Sequence, residues 1–319
     1  MAVGTPMRWR RGQLGAKSES TEGSAETITN TYAKLKIENV SLSYDFPYYS
    51  RENTLSSSMS KFPGTLAGPR IGTLTFDIPI AGSGTNDTAP GWGVLMQGCA
   101  MDEVITGATS TAYTPESTVT AGGDGGSITL ELYEDGKAYK LHGARGNLRI
   151  VLATGDVGRF QFTFQGVYNE PTDTNMLTIT HETTVPVSLL SGAFTIGSYA
   201  FKASSLEIDL QNRLTPRHDA SATQGVFSIA MTGRNPIGSI DPEETAAATK
   251  NIWNLATVGT EGALTYTIGA TSGNIITITA PKVQLRPGGL GDRDGIVTNT
   301  LALEFNRSSG DDEIAITQT

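Results

Sequence analysis

The sequence predicts a mainly β protein in which one small β-rich fold is written twice. Three observations carry this expectation. Apolar and polar residues alternate with period two in several short runs, glycine is abundant at 37 of 319 residues, and an ordered set of elements recurs in the two halves. The set begins at Ser41-Leu42-Ser43-Tyr44-Asp45, which returns as Ser205-Leu206-Glu207-Ile208-Asp209, and an Arg-bearing loop follows each (Arg51, Arg213). Gly72-Thr73-Leu74-Thr75-Phe76 is then matched with Gly225-Val226-Phe227-Ser228-Ile229, and a helix carrying Trp92 with a helix carrying Trp253. Strand regions 127–141 and 159–166 close the first copy, 263–279 and 299–305 the second.

In chain order, residues 1–32 mix Gly, Ser, Thr and charge without a sustained period and are expected to form an N-terminal arm, mobile until it meets a partner. The first domain spans 33–168. Leu35 and Ile37 alternate in one phase and Val40, Leu42, Tyr44 and Phe46 in the other, which predicts a β-bulge near Asn39. The stretch 47–70, rich in Pro, Gly and Ser, is expected to be a long loop; its counterpart, 212–224, is shorter. The first helix is expected to take Thr88 as N-cap and Pro90 in its first turn, with Trp92, Leu95 and Met96 on its apolar face. Residues 169–192 are assigned as a linker, preceding a second domain at 193–319 that opens with a strand pair around Phe194 to Phe201. There, Asp241-Pro242-Glu243-Glu244 predicts a capped helix running to Gly259, with Ile252, Trp253 and Leu255 packed on a sheet.

The strands separate into dry and polar faces. Leu74, Phe76, Ile78 and Ile80 oppose Thr73, Thr75 and Asp77; Phe160, Phe162 and Phe164 oppose Arg159, Gln161, Thr163 and Gln165. Leu206, Ile208 and Leu210 oppose Glu207 and Asp209, and Leu301, Leu303 and Phe305 oppose Thr300, Ala302 and Glu304. The polar faces carry hydroxyls, amides and scattered acids without a dense Lys/Arg lining.

Composition narrows the function classes. A net charge of −9 and a pI near 4.9 argue against a general nucleic-acid binder, which needs cations to displace counterions from phosphate. A single cysteine, Cys99, precludes an intramolecular disulfide, and no apolar run reaches membrane-spanning length. The basic start, Arg8, Arg10 and Arg11, lacks the apolar run of a secretory signal, so assembly in a cytosol is expected.

The residues suggest no catalytic set and no cofactor or metal site. Of three histidines, His142 lies in a strand at a surface or interface position, His181 beside Glu182 in the linker, and His218 in Arg217-His218-Asp219 without a second ligand at metal-binding spacing. Asp292 and Asp294 before Gly295 lack the rest of a calcium loop and predict a polar hairpin turn. Gly289-Leu290-Gly291 lacks dinucleotide spacing and is expected to form a turn. Cys99 is expected to be a buried filler, and core packing is preferred over ligand stacking for Trp92 and Trp253.

Several segments together resemble the tail tube proteins of long-tailed bacteriophages. They are Asn39-Val40-Ser41-Leu42-Ser43-Tyr44-Asp45-Phe46, Pro63-Gly64-Thr65, Gly72-Thr73-Leu74-Thr75-Phe76, Ala89-Pro90-Gly91-Trp92-Gly93 and Lys140-Leu141-His142-Gly143-Ala144-Arg145-Gly146. Ala280-Pro281-Lys282-Val283-Gln284-Leu285, Gly291-Asp292-Arg293-Asp294-Gly295-Ile296-Val297 and Asp311-Asp312-Glu313 extend the likeness to the end of the chain.

The resemblance implies two tandem tail-tube-type β-barrel or sandwich domains, each with one flanking short α-helix, whose edge strands join into rings. It implies a structural, non-enzymatic subunit of a virion tail, assembled in the bacterial cytoplasm, with three chains per pseudo-sixfold ring and no membrane partner. Partners implied are other copies of the chain, a tape measure protein inside the tube, tail terminator and distal tail proteins at its ends, and viral DNA that passes without sequence-specific binding. On this reading Asp45, Asp77, Thr73, Thr75, Glu207, Asp209 and Gln161 line the channel, with Arg159 paired to one of the acids. Tyr49, Arg51, Phe62, Pro63 and Arg70 are expected to contact the next ring. The alternatives are a secreted carbohydrate-binding β-sandwich, which needs an exposed aromatic platform, and a contractile or type VI-like secretion tube subunit, whose chains are single-copy.

Overall fold

Phe160, Phe162 and Phe164 place three rings on one side of a strand, and the surrounding strands supply the same alternation, so pairing them buries a shared apolar face. The computed structural model describes residues 6–52, 58–118, 126–190 and 192–319. It is mainly β. The first half contains β1 (Gly12–Ser18), β2 (Glu38–Asp45), β3 (Tyr48–Arg51), β4 (Phe62–Leu66), β5 (Ile71–Pro79), α1 (Gly93–Gly98), β6 (Met101–Thr106), β7 (Ser110–Pro115), β8 (Ile128–Glu134), β9 (Lys137–Ala153), β10 (Arg159–Tyr168) and β11 (Thr172–Asp173). The second contains β12 (Ala193–Ile196), β13 (Tyr199–Ala200), β14 (Ala203–Asp209), β15 (Arg213–His218), β16 (Val226–Gly233), β17 (Ile237–Pro242), α2 (Ile252–Val258), β18 (Glu261–Ile268), β19 (Ile276–Arg293), β20 (Ile296–Asn306) and β21 (Ala315–Gln318).

All strand pairs are antiparallel. In the first half they run β2–β5–β10–β9–β8–β1, and in the second β14–β17–β20–β19–β18–β12. The two ladders meet where β14 pairs with the last part of β9, setting Ile208 opposite Ile150 and Leu206 opposite Leu152. All four side chains are buried in one apolar cluster that runs through both halves. At about 1.5–3 kcal/mol for each such side chain, this burial, rather than surface charge, holds the seam. A second tie is β21, which pairs with β19 on one side and β7 on the other.

Gly72 of β5 and Gly238 of β17 sit beside β2 and β14 at corresponding points of the two ladders. Neither has room for a side chain: a Cβ on Gly72 would lie 2.4 Å from a Leu141 methyl, and one on Gly238 2.6 Å from the Glu207 carbonyl oxygen.

Several expectations meet the structure directly. The bulge falls at Asn39, which has φ 51°, and the β2–β5 register shifts between Glu38 and Ser41. Asp294-Gly295 forms a hairpin turn with φ 54° and 86°, closed by the Gly295 N–H donating to Asp292 at 2.7 Å. Cys99 is buried, and burial pushes its thiol pKa up.

Others are corrected. Within the supposed arm, residues 12–18 form β1, fully registered on β8 with Leu14 and Ala16 buried; residues 1–5 lie outside the described residues. The loop 47–70 contains the β3–β4 hairpin, with residues 53–57 outside the described residues. The segment matched to Gly72–Phe76 is not Gly225–Ile229: β16 forms a hairpin with β15, and it is β17 that pairs with β14. The second helix begins at Ile252, capped by the Asn251 side chain, because Asp241 and Pro242 belong to β17 and the Asp241 carboxylate accepts the N–H groups of Ser204 and Ser205 instead. Its end at Gly259, with φ 72°, is as expected. The first helix starts after Trp92, later than Thr88 and Pro90 suggest. Trp253 is 48% exposed, whereas Trp92 is buried against Tyr113 and Phe160. Gly289-Leu290-Gly291 lies within β19, next to a bulge between Pro287 and Gly289.

Candidate functional site

Strand register assembles the polar residues into rows that cross the seam. One row runs from Asp77 to Gln161, Arg149, Asp209, Ile237, Glu304 and Gln284. The next runs from Pro79 to Arg159, Val151, Glu207, Ser239, Ala302 and Arg286. Ser43, Thr73 and Gln165 form a third row, and Ser41, Thr75 and Thr163 a fourth. Asp45 shares this face by alternation with Ser43. All seven residues singled out for a channel wall, Asp45, Asp77, Thr73, Thr75, Glu207, Asp209 and Gln161, therefore lie on one face of one sheet made by both halves.

This face carries more cations than alternation in the expected strands suggests, and Arg149, Arg159, Arg286 and Lys282 each have a carboxylate partner. Arg149 donates to Glu207 at 2.6 Å and Arg286 to Glu304 at 2.7 Å; Lys282 lies 3.4 Å from Glu261. Arg159 pairs with Asp156 at 2.7 Å and Glu38 at 3.4 Å, not with any of the four acids expected. The Arg159 hydrogen bond, joined by the Val157 N–H, holds the Asp156 carboxyl below its usual range. Asp209 accepts from the Asn147 amide at 2.7 Å and the Gln211 N–H at 2.8 Å, and Asp77 accepts from Asn39 at 2.8 Å. Sequence reasoning passes over Arg149 and Asn147; the signal for them is their alternation with Leu148, Ile150 and Leu152 in β9, a strand that continues well past residue 141.

The residues expected at ring contacts divide. Tyr49, Arg51, Phe62 and Pro63 belong to the β3–β4 hairpin, where the Arg51 guanidinium lies 4.9 Å from the Phe62 ring centre. Arg70 precedes β5 and is engaged within the chain: its N–H donates to the Gln224 carbonyl at 3.0 Å and its guanidinium to the Gln224 side chain at 3.3 Å.

The histidines lie apart. His142 Nδ1 is 2.5 Å from the Asn169 amide, and burial pushes its pKa down; His181 Nδ1 is 3.3 Å from the Lys34 carbonyl; His218 ends β15. Among the described residues, no three His, Cys, Asp or Glu side chains gather to hold a metal ion. What the polar face offers chemically is a set of hydroxyls, amides and carboxylates whose cations are already matched by acids. No family model matches the chain, and no curated protein matches it.

Proposed function

We propose that this chain is the repeating subunit of a phage-type tail tube and that its polar sheet face lines the channel. The single observation that carries the reading is the continuous sheet from β2 to β19, which has one polar face and two unpaired edges. Among the described residues β2 pairs only with β5, and residues 285–293 of β19 pair only with β20. Such edges favour addition of another strand, and a closed ring satisfies both at once. On this reading the two ladders are two copies of one domain, the β14–β9 seam joins them within a chain, and β2 on β19 joins successive chains. Three chains then supply six domains to a ring.

The wall suits passage of DNA. Its arginines are already paired, so few cations remain to hold phosphate, and its hydroxyls and amides keep water at the surface. Tape measure protein before ejection, viral DNA during it, and terminator and distal tail proteins at the ends are the partners this role requires. The place of work is the virion tail. Replacing Asp77 and Asp209 with Lys in virions tests the channel assignment. Tubes of normal length with impaired DNA ejection are expected; normal infectivity would remove these residues from the channel.

A further inference from the structure

Arg145 and Arg286 occupy corresponding positions of the two ladders. Arg145 faces Gln165, which faces Thr73, the residue after Gly72; Arg286 faces Ala302, which faces Ser239, the residue after Gly238. Their surroundings differ sharply. The Arg145 side chain is 4% exposed, donates to the Ile229 carbonyl of β16 at 2.6 Å and pairs with Glu22 at 3.0 Å. The Arg286 side chain is 67% exposed and meets only the flanking Glu304 among the ion pairs of the described residues.

Arg145 is covered by the β15–β16 hairpin, which follows β14 in the chain and is carried onto the first ladder because β14 is seated on β9. The hairpin is fixed there at several points. Asn212, just before β15, donates to the carbonyls of Cys99 at the end of α1 and of Gly146 in β9, at 2.8 and 3.0 Å. The β3–β4 hairpin holds the same place after β2. Among the described residues β3 and β4 form a two-stranded sheet of their own, paired with each other and with no other strand. Tyr48 and Tyr49, 64% and 59% exposed, and Leu66 stand in solvent.

We propose that the β3–β4 hairpin of one copy of this chain seats on the second ladder of another copy, over its Arg286 and beside the end of its α2. The occupant is a second copy because the chain already contains the finished version of this joint, with β14, its hairpin and Arg145 in the corresponding places. Chemistry at the seat agrees. Backbone carbonyls of the hairpin meet an exposed guanidinium, as Ile229 meets Arg145, and Phe46, leading into β3, meets the exposed Val258 at the end of α2. The inference rests on the tube reading for its partner, and it assigns the hairpin to a lateral contact within a ring rather than to the next ring.

A photo-crosslinking residue, p-benzoylphenylalanine, placed at Tyr49 of the full chain tests this, using a mixture of isotopically heavy and light chains irradiated after assembly. Crosslinks joining a heavy to a light chain are expected within residues 276–293 or 252–260. Arg286→Glu is expected to leave the monomer's thermal midpoint unchanged and to lower that crosslink yield about tenfold, the equivalent of one charge-assisted hydrogen bond. Rings that crosslink elsewhere, or a yield unmoved by Arg286→Glu, overturn the seat and leave the tube reading standing. A chain that stays monomeric overturns both.

Discussion

Arg149 donates to Glu207 at 2.6 Å across the joint between the two halves, and one residue further along each strand Ile150 faces Ile208 in the core. The two pairs do different work. Both charged side chains are more than a third exposed, at 46% and 40%, so solvent screens their attraction. Arg149→Ala is expected to cost under about 1 kcal/mol. Ile208→Ala removes buried methyl groups from the seam and is expected to cost about 2–5 kcal/mol. Urea unfolding of the two variants checks the ranking; a larger loss for Arg149→Ala would mean that charge holds the halves together.

Asn39 sets the bulge that re-aims β2. Its φ of 51° lies in the left-handed region, which Asn tolerates and β-branched residues do not. Asn39→Val is expected to destabilise by about 1–2 kcal/mol, and Asn39→Gly to stay within about 0.5 kcal/mol of the parent despite losing the bond to Asp77. Equal effects of Val and Gly in thermal melts would count against a conformational role.

Acid should loosen the second half. Burial disfavours ionisation of Glu22, but hydrogen bonding from Ser228 and the charges of Arg145 and Arg217 outweigh it, so the carboxyl is held below its ordinary range. At Asp241 burial is likewise outweighed, here by hydroxyl and N–H groups of Ser204 and Ser205. A carboxyl depressed in the folded state binds fewer protons there than in the unfolded chain. Its stabilisation is therefore complete above the unfolded value and is lost as pH falls through the folded one. The thermal midpoint is expected to fall below about pH 4.5. Glu22→Gln and Asp241→Asn should each flatten that limb, and an unchanged limb in both would contradict the assignment.

How far the sequence disclosed this arrangement depends on the range of the interaction. Local signals were legible: alternation along β5, β10, β14 and β20, the phase change at Asn39, and Asp294-Gly295 as a hairpin turn. Signals that tertiary pairing overrides were misleading. Asp241-Pro242-Glu243-Glu244 has the residues of a helix cap, yet Asp241 bonds across to the strand beside it, and the helix waits for Asn251. A likeness between the two ladders lies elsewhere than in Gly225–Ile229. Ile71-Gly72-Thr73-Leu74 returns as Ile237-Gly238-Ser239-Ile240, and both tetrads pair with the strand that opens their ladder. Trp253 is exposed because matching Trp92 by order says nothing about cover: Tyr113 of β7 packs on Trp92, and the second half runs from α2 almost directly into β18. The candidate wall was legible on the strands read as strands; Arg149 was missed because β9 runs on past its expected end.

The central claim is that two ladders per chain close a ring of three chains through β2 and β19. Cryo-electron microscopy of the purified full chain tests it most directly. The account predicts stacked rings with threefold symmetry, six alternating ladders around a polar channel, and β2 of each chain against residues 289–293 of its neighbour's β19. Particles that remain single chains at high concentration, or rings in which either edge stays unpaired, would contradict it.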